Sequence, residues 1–127
     1  MPFVTITLHE RNDPTFIKTL SEIIHLAMVE TILFPHEVLY HTIHEVKPGN
    51  MIYSNNHKGL TRSEDIIFLQ ITLKEGRDVE QKNAMYQRIT DDLDLQLGIR
   101  KEDIMIILTE NKSTDWFFGS ASESPNP

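Results

Sequence analysis

Two stretches of this chain repeat one another. Ile6-Thr7-Leu8-His9-Glu10-Arg11-Asn12-Asp13 lies over Ile71-Thr72-Leu73-Lys74-Glu75-Gly76-Arg77-Asp78 at an offset of 65 residues, sharing Ile, Thr, Leu, Glu and Asp in order. Both copies run from an apolar, strand-like segment through a polar turn to an Asp suited to cap a helix. A repeat that occupies the same structural place twice constrains the fold more than any composition does. It predicts a duplicated β-α-β unit.

The rest of the pattern agrees. Residues 3–8 alternate, with Val4, Ile6 and Leu8 on one side and Phe3, Thr5 and Thr7 on the other. Asp13-Pro14 opens a helix whose stripe is Phe16, Ile17, Leu20, Ile23, Ile24, Ala27, Met28 and Thr31. It should end near Leu33, because Pro35 disfavours helix at Phe34. Residues 39–46 read as a second strand, followed by the turn Lys47-Pro48-Gly49-Asn50. Residues 51–65 are irregular and polar, with a short edge strand expected at 51–53. Residues 66–73 are apolar on both faces, as a central strand should be. Asp78-Val79-Glu80-Gln81 opens a second helix with capping-box spacing, buried through Val79, Met85, Tyr86, Ile89, Leu93 and Leu97 and closed by Gly98. Residues 104–108 form the fourth strand.

The expected fold is therefore α/β (α+β). It is a four-stranded mixed sheet with two helices on one face, in one domain over residues 1–119 with β-α-β units at about 2–46 and 66–109. Residues 120–127 read as a mobile tail. Each helix is long enough to carry a right-handed crossover between parallel strands. Two helices cover only one face of such a sheet, yet strands three and four are apolar on both. Packing of the sheets in a homo-oligomer follows.

Composition removes several function classes. The 127 residues carry a net charge of -7, which argues against a nucleic-acid partner. There is no Cys, so disulfides, thiolate chemistry and Cys-based metal sites are absent. No apolar run of about eighteen residues is present to cross a membrane. The N-terminus lacks the charged and apolar regions of a cleaved signal, so the expected location is the cytoplasm. His25, His41 and His44 invite a metal reading, but His41 and His44 are three apart on a strand and face opposite sides.

Pro2 begins the first strand. Initiator Met is commonly removed before a small residue, and Pro2 would then carry a free secondary amine at the end of a rigid strand. Burial and neighbouring cations both disfavour the charged form of such an amine, leaving it neutral and basic near pH 7. The structural alternative is an ordinary strand start that tolerates Pro.

The chain resembles the tautomerase superfamily, the group of 4-oxalocrotonate tautomerase, and within it the long-chain branch that includes malonate semialdehyde decarboxylase. The segments that carry the resemblance are Met1-Pro2-Phe3-Val4, Gly59-Leu60-Thr61-Arg62-Ser63, Gln70-Ile71-Thr72-Leu73, Gly76-Arg77, Glu80-Gln81-Lys82, Gly98-Ile99 and Asp115-Trp116-Phe117-Phe118-Gly119. The resemblance implies a homotrimer, catalysis by Pro2, a small oxo-acid or enol substrate, and no metal or organic cofactor. Arg77 matches the family's substrate-binding Arg, and a guanidinium forks onto a carboxylate. Lys74 falls where the decarboxylase has a first Arg, while Trp116 and Phe118 match the apolar wall of the site. Arg62 and Ser63 match a family loop without an assigned role. Val38 departs from the decarboxylase, which has an Asp there. Glu37 is adjacent, and on an extended segment would point the opposite way. Three readings stay open: a tautomerase, a decarboxylase or hydratase of a 3-oxo acid, and an oligomeric binding protein with little turnover.

Overall fold

The computed structural model describes residues 2–120, so the expected tail lies outside the described residues except for Ser120. Strands β1 (Phe3–His9), β2 (His41–Val46), β3 (Ile67–Lys74) and β4 (Ile104–Asn111) form one sheet in the order β2-β1-β3-β4. Helix α1 (Pro14–Met28) joins β1 to β2, and α2 (Val79–Leu97) joins β3 to β4. Both of those strand pairs are parallel, as a helical crossover requires. The two units meet through β1 and β3, which pair antiparallel at the centre of the sheet. The sheet is mixed, as the sequence predicts.

The expected helix signals hold at atomic level. The Asp13 carboxylate accepts from the Phe16 amide at 3.1 Å. Asp78 and Gln81 complete a reciprocal capping box, and Gly98 closes α2 in the left-handed region with φ 67. Val4, Ile6 and Leu8 of β1 meet Ile67, Leu69, Ile71 and Leu73 of β3 beneath Leu20, Ile24 and Met28 of α1 and Met85, Ile89 and Leu93 of α2. All are fully buried, and each such side chain contributes roughly 1.5–3 kcal/mol of burial free energy.

The duplication extends well past the repeated octet. The Glu10 amide donates to the Val46 carbonyl at 2.9 Å, and the Glu75 amide donates to the Asn111 carbonyl at 2.7 Å. The Asn50 amide donates to the Lys47 carbonyl at 3.0 Å, and the Asp115 amide to the Lys112 carbonyl at 2.9 Å. Donor and acceptor alike are displaced by 65 residues in both pairs. The strand ends and the turns after them are thus copied as well.

Four expectations need correction. The second strand starts at His41, not at residue 39, although the Tyr40 carbonyl still accepts from the Val4 amide at 2.9 Å. Residues 51–53 form no strand, so β2 and β4 are the sheet edges. Val79 is 70% exposed, because it is the first residue of α2 and stands at the rim before the helix reaches the core. Residues 35–38 are not extended: the Val38 amide donates to the Pro35 carbonyl at 3.0 Å in a turn that leaves Glu37 exposed.

The sheet face away from the helices carries Phe3, Met105 and Ile107 at 39%, 38% and 44% exposure. Phe68, the short Thr5, Thr7 and Thr72, and the exposed Gln70 share it.

Candidate active site

Pro2 is buried immediately before β1. Phe3 pairs with Thr72, and Val4 pairs with His41 on the other side. Continuing the ladders, one step beyond Phe3 on the β3 side and two beyond Val4 on the β2 side, sets Pro2 between Leu39 and Leu73. The two-residue alternation gives Pro2 the same side as Val4, facing the helices. Lys74 ends β3 opposite Asn111, one residue beyond Leu73. Pro2 and Lys74 therefore stand at the same end of adjacent central strands.

Arg77 is at this end too, but its guanidinium is partly committed. Nε donates to the Ile32 carbonyl at 3.1 Å, Nη1 to the Lys74 carbonyl at 3.3 Å, and Nη2 to the Leu33 carbonyl at 3.4 Å. The first and third acceptors belong to the end of the first helix. There α1 widens into a π turn over Val29–Leu33 and stops at Leu33, which adopts a left-handed φ of 54. Such a terminus leaves carbonyls without intrahelical donors and carries the negative end of the dipole. Arg77 satisfies both. A cation beside the start of α2 is disfavoured by that helix, and the reach to the opposite end of α1 explains why it is tolerated. Of five guanidinium N–H groups, three are engaged and two remain for a ligand.

An aromatic row lies along this end, with Tyr40 and Phe118 still partly open to solvent. Trp116 Nε1 donates to Asn111 Oδ1 at 2.6 Å, which fixes the indole at the end of β4. Its ring stacks on Phe118 with centroids 5.7 Å apart and an interplanar angle of 13°. Phe118 in turn lies 6.1 Å from Tyr40, just before β2. The row runs from one sheet edge to the other, across the ends of β3 and β1 where Lys74 and Pro2 stand. Trp116 and Phe118 were expected; Tyr40 was not, although its place just before the strand next to β1 was the available signal.

The structure also joins histidines that lie apart in the sequence. His25 is buried on α1, and its Nε2–H donates to the His36 carbonyl at 2.6 Å. Its ring centroid is 5.0 Å from that of His36 and 5.9 Å from that of His41. His41 Nδ1 is hydrogen-bonded to Ser21 Oγ at 2.7 Å. Burial, and secondarily the neighbouring His25, push the His41 imidazole down to about 4. This cluster pins the 34–40 loop, which delivers Tyr40 to the aromatic row. His44 is on the opposite face of β2, beside Thr7. Among the described residues no group of three His, Asp or Glu has metal-holding geometry.

Arg62 and Ser63 have a structural role. The Ser63 amide and hydroxyl each donate to the buried Asp103 carboxylate at 2.6 Å, and Arg100 Nε adds a third donor at 3.1 Å. Burial alone would push this carboxyl up, but the Ser63 and Arg100 donors outweigh it and hold it below the usual range. Arg62 Nη1 donates to the Glu102 carbonyl at 2.6 Å. Together these bonds staple the loop before β3 to the start of β4.

Two models of the tautomerase enzyme family match the chain, one over residues 39–119 and the other over residues 2–59. The chain belongs to the tautomerase family. The probable tautomerase YusQ of Bacillus subtilis is 34% identical over 120 residues, covering 94% of each chain. Among solved structures, malonate semialdehyde decarboxylase superposes with a TM-score of 0.87 at 29% identity, covering 94% of this chain and 92% of that chain. A fused 4-OT symmetric trimer superposes with a TM-score of 0.77 at 19% identity, covering 97% and 94%, which shows the shared fold. No helix among the described residues of this tautomerase is long and apolar enough to cross a membrane.

The lowered His41 imidazole has a measurable consequence. The folded state holds it neutral down to about pH 4, whereas an unfolded chain protonates it near 6.5. Between these values the unfolded state binds more protons, so stability falls as pH drops through that window. After allowance for solvent around the half-buried ring, the loss is on the order of 1–2 kcal/mol. His41→Gln should flatten this part of the curve, as read from urea midpoints at pH 7, 5.5 and 4.

Proposed function

We propose that this protein is an isomerase in which the Pro2 amine, freed by removal of Met1, acts as general base on a small 2-oxo acid or its enol. The observation that carries this is the buried Pro2 at the start of a central strand, at the sheet end shared with Lys74, Arg77 and the row Trp116–Phe118–Tyr40. The two uncommitted N–H groups of Arg77 bind the substrate carboxylate, with Lys74 as a second cation. The neutral amine takes the enol hydroxyl proton, and charge developing on that oxygen is stabilised by Arg77. The proton carried by Pro2 is then delivered to the adjacent carbon. No water, leaving group or redox partner is needed, and Pro2 ends as it began.

Similarity to malonate semialdehyde decarboxylase, whose described activities are decarboxylation and hydration, supports a second reading: a lyase acting on a 3-oxo acid such as malonate semialdehyde. Val38, half-buried after the 35–38 turn, offers no carboxyl to activate water or orient a second carboxylate. Glu37 is exposed on that turn. This favours tautomerisation, which requires a base and an anion clamp alone. A weakly active binding protein of the same fold would show no turnover on either substrate class.

The exposed Phe3, Met105 and Ile107 support burial of the open sheet face between subunits, and the symmetric trimer of fused 4-OT supports three as the number. Light scattering should then give a mass three times the chain's 14.7 kDa, and Ile107→Glu should lower it toward one chain.

Ketonisation of an aryl enolpyruvate by protein verified by intact mass tests the base. Active protein should lack Met1, and Pro2→Gly should lower kcat/KM about 100-fold. Retention of the rate by Pro2→Gly, or full activity with Met1 in place, overturns the assignment. A borohydride trap with a 3-oxo acid labels Pro2 only if an iminium forms, which identifies the lyase reading. For the clamp, Arg77→Lys should raise KM about tenfold with a smaller change in kcat, because an ammonium cannot fork onto a carboxylate.

A further inference from the structure

Three histidines that the proposed reaction does not use stand beside the site. His25 of α1, His36 of the 35–38 turn and His41 of β2 gather their rings, with centroids 5.0 Å apart for His25 and His36 and 5.9 Å apart for His25 and His41. The segment that joins them leads to the strand beside Pro2. At its start the Leu33 carbonyl is held by Arg77, and at its end the Tyr40 carbonyl is held by the Val4 amide. Between these anchors, residues 35–39 have one hydrogen bond to the rest of the protein among the described residues. It is the 2.6 Å bond from His25 Nε2–H to the His36 carbonyl. The bond from the Val38 amide to the Pro35 carbonyl is internal to the turn.

No carboxylate among the described residues is bonded to these rings. On α1, Lys18 and Glu22 are exposed, and Glu30 at its end pairs with Arg88 of α2. Glu37 of the turn is exposed. On β2, His44 is on the opposite face of the sheet and Glu45 accepts from the Arg11 amide. The neighbouring strand β1 presents Val4 and Thr5, which are neutral, and Arg77 at the start of the segment is itself a cation. The one ionisable group that acts on the His41 charge is His25, which opposes it as burial does. Charge on the cluster therefore meets like charge and a poorly solvated surrounding. His25 is buried on a helix and His41 is paired in the sheet, so both are fixed. His36 is exposed on the turn and is free to move outward.

We propose that this cluster is an acid-released latch on residues 35–39, with His25 as the residue that positions them. While the rings are neutral, His25 holds the turn through the backbone of His36. Charge on the rings drives His36 outward, breaks that bond and loosens Leu39 and Tyr40 beside Pro2. An open turn returns His41 to water. The closed state keeps this imidazole neutral down to about 4, against 6.5 for a solvated one, so the open state binds more protons between these values and acid favours it. Loosening Tyr40 also disturbs the ring contacts that run through Phe118 to Trp116. The latch is a property of the turn and stands whether or not the Pro2 amine is catalytic.

Titration of the full chain from pH 7 to 4, followed by amide NMR, Trp emission and far-UV circular dichroism, tests this. Trp116 is the one Trp in the chain, so its emission reports on the row. The amides of residues 35–40 should shift and the emission should move to longer wavelength with a common midpoint, while the far-UV signal stays constant. His36→Asn removes a ring charge but keeps the backbone carbonyl, and should lower the midpoint by about one pH unit. His57→Asn, at an exposed position away from the cluster, should leave it in place, and so should Pro2→Gly. The proposal is overturned if residues 35–40 change only together with the far-UV signal, or if His36→Asn keeps the parent midpoint. It is equally overturned if His57→Asn lowers the midpoint as far as His36→Asn does, or if the midpoint depends on protein concentration, as subunit dissociation would make it.

Discussion

The antiparallel ladder between β1 and β3 is the constraint on which the rest depends. Each β-α-β unit alone is a two-stranded parallel pair under one helix, open at both edges. Joining β1 to β3 closes one edge of each unit and makes a four-stranded sheet with a continuous core. Register is strict here, because Val4, Ile6 and Leu8 must share a face with Ile67, Leu69, Ile71 and Leu73. A slip by one residue would turn one of these sets toward the open face. The same register sets Pro2 against Leu73, so the ladder that closes the core also positions the strand's first residue.

A second connection between the units runs through Arg77. It belongs to the turn after β3, yet its acceptors include Ile32 and Leu33 at the end of the first helix. The π turn and the left-handed Leu33 expose those carbonyls, and the guanidinium satisfies them from the other unit. A side chain held in this way has few alternative rotamers. That lowers the entropic cost of using its remaining donors on a ligand.

Much of the fold was legible because it follows from local chemistry. Asp13-Pro14, the Asp78–Gln81 box and Gly98 mark helix ends by backbone rules that need no tertiary context. The repeated octet carried the topology. Two of the misses share a cause: Val79 and the 51–53 segment are apolar stretches at the rim, placed by tertiary packing rather than by periodicity. The candidate site was named in the sequence as a list of residue types, Pro2, Lys74, Arg77, Trp116 and Phe118. Its connections were not. The commitment of Arg77 to a distant helix end depends on packing, as do the gathering of His25, His36 and His41 and the inclusion of Tyr40 in the aromatic row. No short-range signal encodes which carbonyl a long side chain reaches.

The aromatic row brings together residues far apart along the chain: Tyr40 precedes β2, and Trp116 and Phe118 follow β4. It is shared between the two β-α-β units and can form only after they have folded and joined. A lesion in either unit would therefore unmake it.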